Sequence, residues 1–394
     1  MSAEPVSAER RAVVVGAGVA GLTAAIALRQ RGWQVEVLER AAGAEPAGSG
    51  LSLWPNGLRG LDVLGVGAAI REQSLAATEG GMRDTAGRWL SRTDIAALRD
   101  RYGDLVVIHR NQLSDILRTA LYTGLLRFGC AVEAVEFTGR GVRVRHSDGT
   151  AEADLVLGAD GINSTLRATL WPRARRPAYA GYTAWRTIVT PAEPVLAGGE
   201  TLGRGQRFGI APLRDGRVYM FGTANLPAGQ REPGRELDEL RRRFGSWHDP
   251  IPALLAAADP AAILRHDIYE LPPLETYVRE RVALLGDAAH AMTPNLGQGA
   301  NLAVEDAVTL AAVLDRTPDI PGALTEYDRI RRARVQPLAR LSHRLGAALQ
   351  LALPAVTPVR NTVLRLAPDA AALRALGPVL SWAPPGWEPP TERW

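Results

Sequence analysis

A glycine-rich turn near the N-terminus constrains the fold of this chain more than any other feature of its sequence. The β-branched run Arg11–Val15 predicts a buried parallel strand, and Gly16, Gly18 and Gly21 follow it at once. Gly16 suits a tight turn, Gly18 lets the backbone approach a pyrophosphate, and Gly21 lets a helix pack closely on the strand. This spacing predicts a phosphate-binding turn between a strand and a helix.

The residues after this turn complete a βαβ unit. Leu22–Arg31 predicts a helix, and Val35–Leu38 predicts the next strand, which ends at Glu39. The helix N-terminus offers N–H groups and partial positive charge to phosphates, and an acid in this place accepts hydrogen bonds from ribose hydroxyls. A second pattern, Gly65–Gly67, lacks an acid-tipped strand, so we interpret it as a helix-end turn. The sequence therefore predicts one dinucleotide site and leaves FAD and NAD open.

Composition excludes several classes of function. The chain has 394 residues, a net charge of +4 and one cysteine, Cys130, and it contains no lysine. One cysteine excludes an internal disulfide framework and a thiolate metal cluster, and the lack of lysine excludes Schiff-base chemistry. The basic residues are scattered, and no unbroken run of about 20 apolar residues occurs. We expect a cytoplasmic protein that binds no metal, no nucleic acid and no membrane.

Two later segments repeat the pattern of a strand that ends in an acid beside glycines. Asp154–Leu157 runs into Asp160, and Arg281–Leu285 runs into Asp287. Carboxylates in this position face the crevice where open α/β sheets bind ligands. For Asp160 the alternative is a simple turn that caps the next helix. Beyond Asp287, the glycine-rich residues 297–301 offer further N–H donors to an electron-rich group.

The chain divides into three predicted parts. Alternating patterns over 178–270 predict an antiparallel-sheet substrate domain, to which 76–104 also belongs. The dinucleotide-binding domain is discontinuous and comprises residues 1–75, 105–177 and 271–330, with a long helix over 300–314. The remainder, 331–394, predicts helices with Arg331, Arg332 and Arg334 on a polar side. Its Pro/Trp-rich end, 382–394, either folds over the core or mediates self-association.

Together these motifs resemble those of the single-component FAD-dependent aromatic hydroxylases, the flavoprotein monooxygenases of the p-hydroxybenzoate hydroxylase type. The resemblance rests on Gly16–Gly21 with Glu39, on residues 158–161 and on residues 286–301, in matching order and spacing. Residues 52–58 and 179–185 are most similar to the subgroup of urate, nicotinate and benzoate hydroxylases and related epoxidases. The resemblance implies an α/β fold: a Rossmann-like FAD-binding βαβ domain, an inserted antiparallel-sheet substrate domain and C-terminal helices.

The resemblance also implies a role for each matching position. The glycines of the turn would hold the FAD pyrophosphate, Glu39 and Arg40 the adenosine, and Asp287 a ribityl hydroxyl. Backbone N–H groups of residues 297–301 would face the flavin pyrimidine edge, and His290 would be structural. The positions assigned to FAD are Gly16, Gly18, Ala20, Gly21, Glu39, Arg40, Ser52, Arg110, Val132, Asp160, Asp287, Gly297, Gln298, Gly299, Ala300 and Asn301.

The implied reaction is hydroxylation of an aromatic or heteroaromatic small molecule by O₂ through a flavin C4a-hydroperoxide, with NAD(P)H as a transient co-substrate. Pro294 would lie beside the reactive flavin carbon, and Arg207 and Tyr219 would contact the substrate. The alternative for this pair is a surface arginine and a packed tyrosine. Alkene epoxidation, a non-oxygenase reductase and a redox sensor remain open as functions. The expected assembly is a monomer or a homodimer.

The match to the urate-oxidising members of the family is incomplete. They have aspartate where this chain has Asn295, and asparagines where it has Ala184 and Arg186. These differences change the charge or the polarity at three positions of that pattern, so the sequence argues against urate as the substrate of this chain.

Overall fold

The computed structural model describes residues 10–43, 48–139, 141–231 and 233–386. Most of the Pro/Trp-rich end, residues 387–394, lies outside the described residues, so the hypothesis about its role is left as a prediction. The first residue of this end, Trp382, packs against the main hydrophobic core. No helix within the described ranges has both the length and the apolar character needed to cross a bilayer.

The described residues form strands and helices in an alternating order at both ends of the chain. The strands are β1 (Arg11–Val15), β2 (Gln34–Leu38), β3 (Gly50–Leu53), β4 (Leu75–Ala76), β5 (Gly81–Asp84), β6 (Trp89–Arg92), β7 (Val106–His109), β8 (Leu126–Arg127), β9 (Val132–Phe137), β10 (Val142–His146), β11 (Gly149–Ala153), β12 (Leu155–Gly158), β13 (Ala178–Val189), β14 (Gly199–Leu202), β15 (Gln206–Pro212), β16 (Val218–Asn225), β17 (Leu264–Glu270), β18 (Val278–Arg279) and β19 (Val282–Leu284). The helices are α1 (Val19–Arg29), α2 (Pro55–Val63), α3 (Gly67–Gln73), α4 (Ile95–Tyr102), α5 (Arg110–Leu121), α6 (Thr165–Leu170), α7 (Glu236–Phe244), α8 (Ile251–Ala256), α9 (Asp287–His290), α10 (Gly299–Arg316), α11 (Ile320–Leu349), α12 (Val356–Leu366), α13 (Asp369–Ala375) and α14 (Gly377–Leu380).

A six-stranded sheet in the order β18-β19-β12-β1-β2-β8 positions the three glycine-rich segments. β1 pairs in parallel with β2 and β12, and β12 pairs in parallel with β19. In this register Val15 lies opposite both Leu38 and Gly158, and Gly158 lies opposite Leu284. The carboxyl ends of four neighbouring strands are therefore level. Because the predicted acids and glycines follow these ends, they begin side by side along one edge.

A seven-stranded sheet in the order β17-β13-β16-β15-β14-β5-β6 forms a separate layer. Its neighbours are antiparallel except for the parallel pair β14 and β5. On one face Phe208 and Met220 pack with Phe244 and Leu254 of α7 and α8. Arg207 and its cross-strand neighbours lie on the other face, which covers the crevice at the edge of the six-stranded sheet. The α/β fold with an antiparallel sheet is thus confirmed.

The hairpin of β5 and β6 joins this sheet, although the sequence analysis assigned its segment to the substrate domain without predicting a hairpin. The helix that follows, α4, packs elsewhere: its Leu98 lies in a cluster with Leu302 of α10 and Val335 of α11. The exact domain boundaries therefore stay a prediction.

Two helices differ from their predicted limits in an instructive way. α1 begins three residues earlier than the predicted start at Leu22, because the glycine turn itself is already helical from Val19. It ends before Gly32, whose φ of +76° favours glycine. α10 begins at Gly299 and continues to Arg316, beyond the predicted 300–314.

The prediction that Arg331 lies on a polar helix side is wrong. Arg331 has no exposed surface in the structure. It lies on α11 between the carboxylates of Glu305 and Asp306, which α10 presents to it. A paired guanidinium can be buried at a cost that its two carboxylates offset, and a sequence pattern of polar residues does not distinguish this case from a solvated face.

Candidate cofactor and substrate site

The glycines of the first turn have different surroundings. A Cβ atom at Gly16 would lie 2.5 Å from the carbonyl oxygen of Ala159, and one at Gly21 would lie 1.9 Å from the carbonyl oxygen of Gly16. Neither position can accept a side chain without movement of the backbone. A Cβ at Gly18 would meet no protein atom within 4 Å. Gly16 and Gly21 are therefore needed for packing, whereas Gly18 borders open space at the start of α1.

Glu39 ties this turn to the end of β2. One carboxylate oxygen accepts a hydrogen bond from the N–H of Ala17 at 2.7 Å, and the other from the N–H of Ala41 at 2.8 Å. Each oxygen keeps a second lone pair for a hydroxyl donor. The exposed Arg40 follows. Val132 begins β9 close by, since the N–H of Cys130 donates to the carbonyl oxygen of Glu39.

Asp160 serves the turn that the sequence analysis kept as an alternative. One of its oxygens accepts hydrogen bonds from the N–H groups of Thr165 and Leu166, and Ser164 caps α6 through the N–H of Arg167. The other Asp160 oxygen is buried and has no partner among the described protein atoms. The capping role is therefore observed, and one oxygen remains available for a ligand.

The segment after β19 lies directly beside the first turn. Gly286 adopts a φ of +55°, and a Cβ there would come within 2.9 Å of the Cβ of Ala20 and 3.3 Å of that of Ala303. Its N–H donates to the carboxylate of Asp306 at 2.8 Å. The next residue, Asp287, is exposed at the start of α9. The starts of α1, α9 and α10 thus surround one crevice.

The start of α10 presents backbone N–H groups to this crevice. No side chain caps this helix or α1, so their first-turn N–H groups remain available and their dipoles add positive potential. Before α10, Gly297 has the left-handed φ of +61°. The Asn301 side chain is used inside the protein: it accepts from the N–H of Trp54 at 2.9 Å and donates to the carbonyl oxygen of Gly297 at 2.9 Å and to that of Ser52 at 3.2 Å.

Two polar atoms beside this turn have no partner in the described part of the protein. They are the indole nitrogen of Trp54 and the amide nitrogen of Gln298, and both are buried. Buried donors of this kind carry an energetic cost unless a ligand or a water molecule satisfies them. Uncapped helix starts, open space at Gly18 and unpaired donors near Gly297 fit an extended dinucleotide with a polar ring system at one end.

A buried charge network supports α10 from behind. Arg331 donates to Asp306 at 2.6 Å and to Glu305 at 2.8 Å, and His290 lies 2.7 Å from Asp306. Although burial acts to raise it, the pKa of the Asp306 carboxyl lies below its ordinary value because of His290 and Arg331. The sequence analysis placed His290 in a structural role and did not identify Glu305 or Asp306. The sequence signal for this network is the pair of acids, Glu305 and Asp306, within the otherwise apolar helix α10.

Arg207 links the seven-stranded sheet to the turn before α10. Its guanidinium donates to the side-chain oxygen of Asn295 at 2.7 Å and lies 3.3 Å from the carboxylate of Glu200. Only 2% of Arg207 is exposed, and its Nε has no partner among the described residues. Pro294, exposed, opens the short 3₁₀ turn Pro294–Leu296. The structure therefore brings Arg207 and the Pro294 turn together.

Tyr219 lies further along the same face. In the register of β15 and β16, Arg207 pairs with Thr223, and Tyr219 is four residues away, roughly 13 Å along a strand. The Tyr219 ring covers Gly50 of β3, where a Cβ would approach it to 2.8 Å. Burial raises the pKa of its hydroxyl. Arg207 and Tyr219 therefore lie on the same face of the sheet, and their joint contact with the substrate stays a prediction.

The remaining predicted positions line the rim of the crevice. Ser52 is half-buried on β3, which pairs with β7. Arg110 is exposed at the start of α5, and its N–H donates to the carbonyl oxygen of Ser49 just before β3. The backbone of Arg110 thus lies beside the start of β3, and contact between its guanidinium and FAD stays a prediction.

A cavity of about 640 Å³ lies between β3, β7 and the end of the seven-stranded sheet. It starts at Ser52 and Trp54, beside the unpaired indole nitrogen, and passes Glu200 and Phe221 of the covering sheet. It reaches solvent near Leu196, of which 81% is exposed. The sequence analysis did not predict this cavity, because its walls come from segments far apart in the chain.

Cys130, His146 and Asp148 form a small polar group elsewhere, with side-chain donor atoms within 4.8 Å of one another. Burial raises the pKa of the Cys130 thiol, and the Asp148 carboxylate already accepts hydrogen bonds from Arg127 and Ser147. These contacts occupy the group within the protein. The expectation that the chain binds no metal stays a prediction.

The fold and the crevice define a dinucleotide-binding α/β protein whose ring-binding end lies under an antiparallel sheet. The model of the FAD binding domain family matches residues 9–342. The chain is 35% identical to the aurachin C monooxygenase/isomerase of Stigmatella aurantiaca, over 90% of this chain and 93% of that protein. It is 36% identical to the FAD-dependent urate hydroxylase of Klebsiella pneumoniae, over 83% and 87% of the two chains.

A solved structure of a relative has the same fold as this chain. The crystal structure of Klebsiella pneumoniae HpxO complexed with FAD and uric acid superimposes with a TM-score of 0.89 at 32% identity, covering 96% of this chain and 98% of that one. The chain therefore belongs to the family of FAD-dependent aromatic hydroxylases, which confirms the resemblance drawn from its motifs.

Proposed function

We propose that this protein hydroxylates an aromatic or heteroaromatic small molecule, using bound FAD, NAD(P)H and O₂. The observation that carries the proposal is the single crevice formed by the starts of α1, α9 and α10 and covered by the sheet face that bears Arg207. Its uncapped N–H groups suit a pyrophosphate at one end and an electron-rich ring edge at the other. The urate hydroxylase relative supports a heteroaromatic substrate class.

Each end of the crevice has a proposed partner on FAD. Gly18, with Ala20 behind it, takes the pyrophosphate, and Glu39 takes the adenosine ribose through its free lone pairs. Asp287 takes a ribityl hydroxyl. The N–H groups of Gly299 and Ala300 take the pyrimidine edge of the ring, where the helix dipole favours negative charge.

When bound, FAD supplies the transfer of two electrons from NAD(P)H and the activation of O₂. The protein then has to exclude water and hold the substrate ring at the correct distance. Pro294 is proposed to border the part of the site where the substrate ring meets the flavin. Arg207 is proposed to hold the Pro294 turn in position through its contacts with Asn295 and Glu200, and Tyr219 is proposed to close the opposite side of the site over Gly50.

We also propose that the enzyme works in a reducing cytoplasm without membrane attachment, as a monomer or a homodimer. Cys130 is buried and forms no disulfide bond, which suits such a compartment. Binding of NAD(P)H is proposed to be transient, because the sequence contains one glycine fingerprint for a dinucleotide.

An isotope experiment tests the oxygenase proposal. The purified protein, loaded with FAD, is mixed with NADPH or NADH under ¹⁸O₂ and with a panel of phenols and hydroxylated heteroaromatics. We expect at least one compound to accelerate NAD(P)H oxidation and to gain one ¹⁸O atom as a ring hydroxyl. Oxidation of NAD(P)H that yields only hydrogen peroxide with every compound would contradict the proposal and favour the reductase or sensor, and an ¹⁸O-labelled epoxide would favour epoxidation.

A further inference from the structure

The 640 Å³ cavity next to the flavin crevice is larger and more apolar than a small polar ring requires. Cavities of about 300 to 1,000 Å³ enclose drug-sized ligands rather than single rings. The residues of the turn before α10 and of its first turn do not line the cavity, so its volume lies beyond the place proposed for the flavin ring. Ser52 and Trp54 of the cavity wall contact this region: the carbonyl oxygen of Ser52 accepts a hydrogen bond from Asn301, and Trp54 packs against Gly297.

The walls of the cavity change in character along its length. Next to the crevice, Glu200 and Phe221 project from the covering sheet. The rest of the lining is mainly aliphatic: Val107 lies opposite Ser52 and Leu105 packs near Trp54 at the inner end, and Val195 precedes Leu196 at the outer end. The cavity therefore combines a polar acceptor beside the crevice with an apolar channel that leads to the solvent.

Charge limits the kind of ring that can lie at the inner end. Glu200 is a carboxylate with 31% of its side chain exposed, and it already pairs with the nearly buried Arg207. The cavity lining contains one other acid, Glu79, and one arginine, Arg214, both at exposed positions. The inner end therefore offers an acceptor to a hydrogen-bond donor, and because Arg207 is already paired with Glu200, it offers no unpaired cation to a carboxylate.

We infer that the substrate is an uncharged aromatic or heteroaromatic ring with an O–H or N–H donor and a long aliphatic substituent. The ring lies at Glu200 and Phe221, and the aliphatic chain follows the channel toward Leu196. This inference rests on the proposed function, since it names the substrate class of the same site. It differs from a urate-like substrate, which has no aliphatic chain to fill the channel.

Binding of two homologous series to the FAD-loaded protein tests the inference. The series are 4-alkylphenols and 2-alkyl-4-hydroxyquinolines from methyl to heptyl, and the dissociation constant is measured from the change in flavin absorbance. Each methylene buried in an apolar channel raises affinity about fourfold, so heptyl compounds of at least one series should bind about a hundredfold or more tighter than methyl compounds. Equal affinities along both series would overturn the inference.

A pair of variants shows whether the aliphatic chain lies in this channel. Ala77 lines the cavity, and Ala86 is exposed in the turn between β5 and β6, away from it. In Ala77→Trp the gain per methylene should fall to less than twofold, whereas in Ala86→Trp it should match the unmodified protein. A gain that persists in Ala77→Trp would place the chain elsewhere and overturn the inference.

The charge argument has its own matched comparison. 4-Heptylphenol and 4-heptylbenzoic acid have the same chain and differ in charge at pH 7.5. We expect the benzoate to bind at least tenfold more weakly, and Glu200→Gln to reduce this difference. Tighter binding of the benzoate would contradict the inferred substrate class. Ring hydroxylation of short-chain compounds without any gain from chain length would overturn this inference while leaving the proposed function intact.

Discussion

In the first turn, protein packing requires glycine at two positions, whereas the proposed cofactor accounts for glycine at a third. Gly21 and Gly16 are in contact with backbone atoms, and a side chain at either would collide with them. Gly18 has ordinary backbone angles, with φ at −75°, and empty space where a Cβ would lie. Contacts within the protein therefore do not require glycine at position 18. The pyrophosphate proposed to lie there does require it, because a side chain would occupy the same space.

Two alanine variants test this difference. Gly18→Ala should leave the melting temperature of the FAD-free protein within about a degree, because the new methyl group meets no protein atom, and should weaken FAD binding about tenfold or more. Gly21→Ala should lower the free energy of unfolding by about 1–3 kcal/mol through overpacking. Thermal unfolding and flavin fluorescence titration measure the two effects. Unchanged FAD affinity in Gly18→Ala would remove the pyrophosphate from this place.

At the residue scale, sequence motifs identified the groups that face the crevice but not the groups that hold them. Glu39, Asp160 and Asp287 could be predicted because strand ends and glycines mark them. Asn301 was predicted to contribute a backbone N–H, yet its side chain also joins two backbone segments, residues 52–54 and the turn at Gly297. That use depends on β3 lying beside α10, which no local pattern encodes.

At the scale of elements, the position of α10 depends on charges buried beneath it. Arg331 of α11 lies between Glu305 and Asp306, and all three side chains are fully buried. Without Arg331, the buried carboxylates of Glu305 and Asp306 keep Arg334 and His290 as partners but lose the buried cation that they share, which typically costs several kcal/mol. Because Asp306 also holds the N–H of Gly286, this cost falls on the wall of the FAD crevice.

Replacement of the buried arginine should therefore affect both stability and cofactor binding. Arg331→Met should lower the free energy of unfolding by about 3–5 kcal/mol and reduce FAD occupancy. Arg71→Met is the matched control, because 39% of its side chain and 36% of that of its partner Asp62 are exposed, and such an ion pair is worth about 0–1 kcal/mol. Denaturant unfolding and flavin absorbance provide the comparison. Equal stability losses in the two variants would contradict a special role for the buried pair.

The same network predicts how stability depends on pH. The pKa of Asp306 is lower in the folded protein than in the unfolded chain, so the folded state holds the carboxylate more strongly in its charged form. This contribution is complete above the unfolded pKa of about 3.9 and is lost as the pH falls through that value toward the folded pKa. The melting temperatures of the unmodified protein and of Asp306→Asn should therefore differ most near pH 7 and converge below pH 4. If the difference in melting temperature grew toward low pH, the pKa of Asp306 would be raised in the folded protein, contrary to this prediction.

Helices were predictable wherever hydrophobic periodicity was strong, as in α1 and α10. The polar face expected for Arg331 failed because periodicity reports polarity and not burial, and its two partners lie more than 20 positions away in the sequence. The β5–β6 hairpin was not predicted, since its short strands add to the edge of a sheet whose other members come 100 residues later.

At the scale of the whole molecule, the seven-stranded sheet has to stay in a fixed position above the crevice. Hydrogen bonds from Arg360 to Gly203 and from Asn225 to Gln350 join it to α12 and to the end of α11. Two further contacts are that of Arg207 with Asn295 and that of the Tyr219 ring with Gly50, and their separation along the sheet helps to restrain its tilt. Both contacts also lie next to the space proposed for the reacting rings, so the docking of the two layers and the alignment of substrate depend on the same residues.

Loss of the Arg207 contact should therefore impair substrate use without loss of the cofactor. In Arg207→Ala the turn at Pro294 keeps only the longer hydrogen bond from Asn295 to Tyr182 of the covering sheet, while the residues proposed to hold the FAD pyrophosphate and ribose are untouched. We expect normal FAD content, a tenfold or greater rise in KM for the substrate, and more hydrogen peroxide per NAD(P)H oxidised because water reaches the site. Arg204→Ala, at an exposed position before β15, is the control and should behave as the unmodified protein. Steady-state kinetics with peroxide detection measure this, and an Arg207→Ala protein with unchanged KM and unchanged coupling would reduce Arg207 to a packing residue.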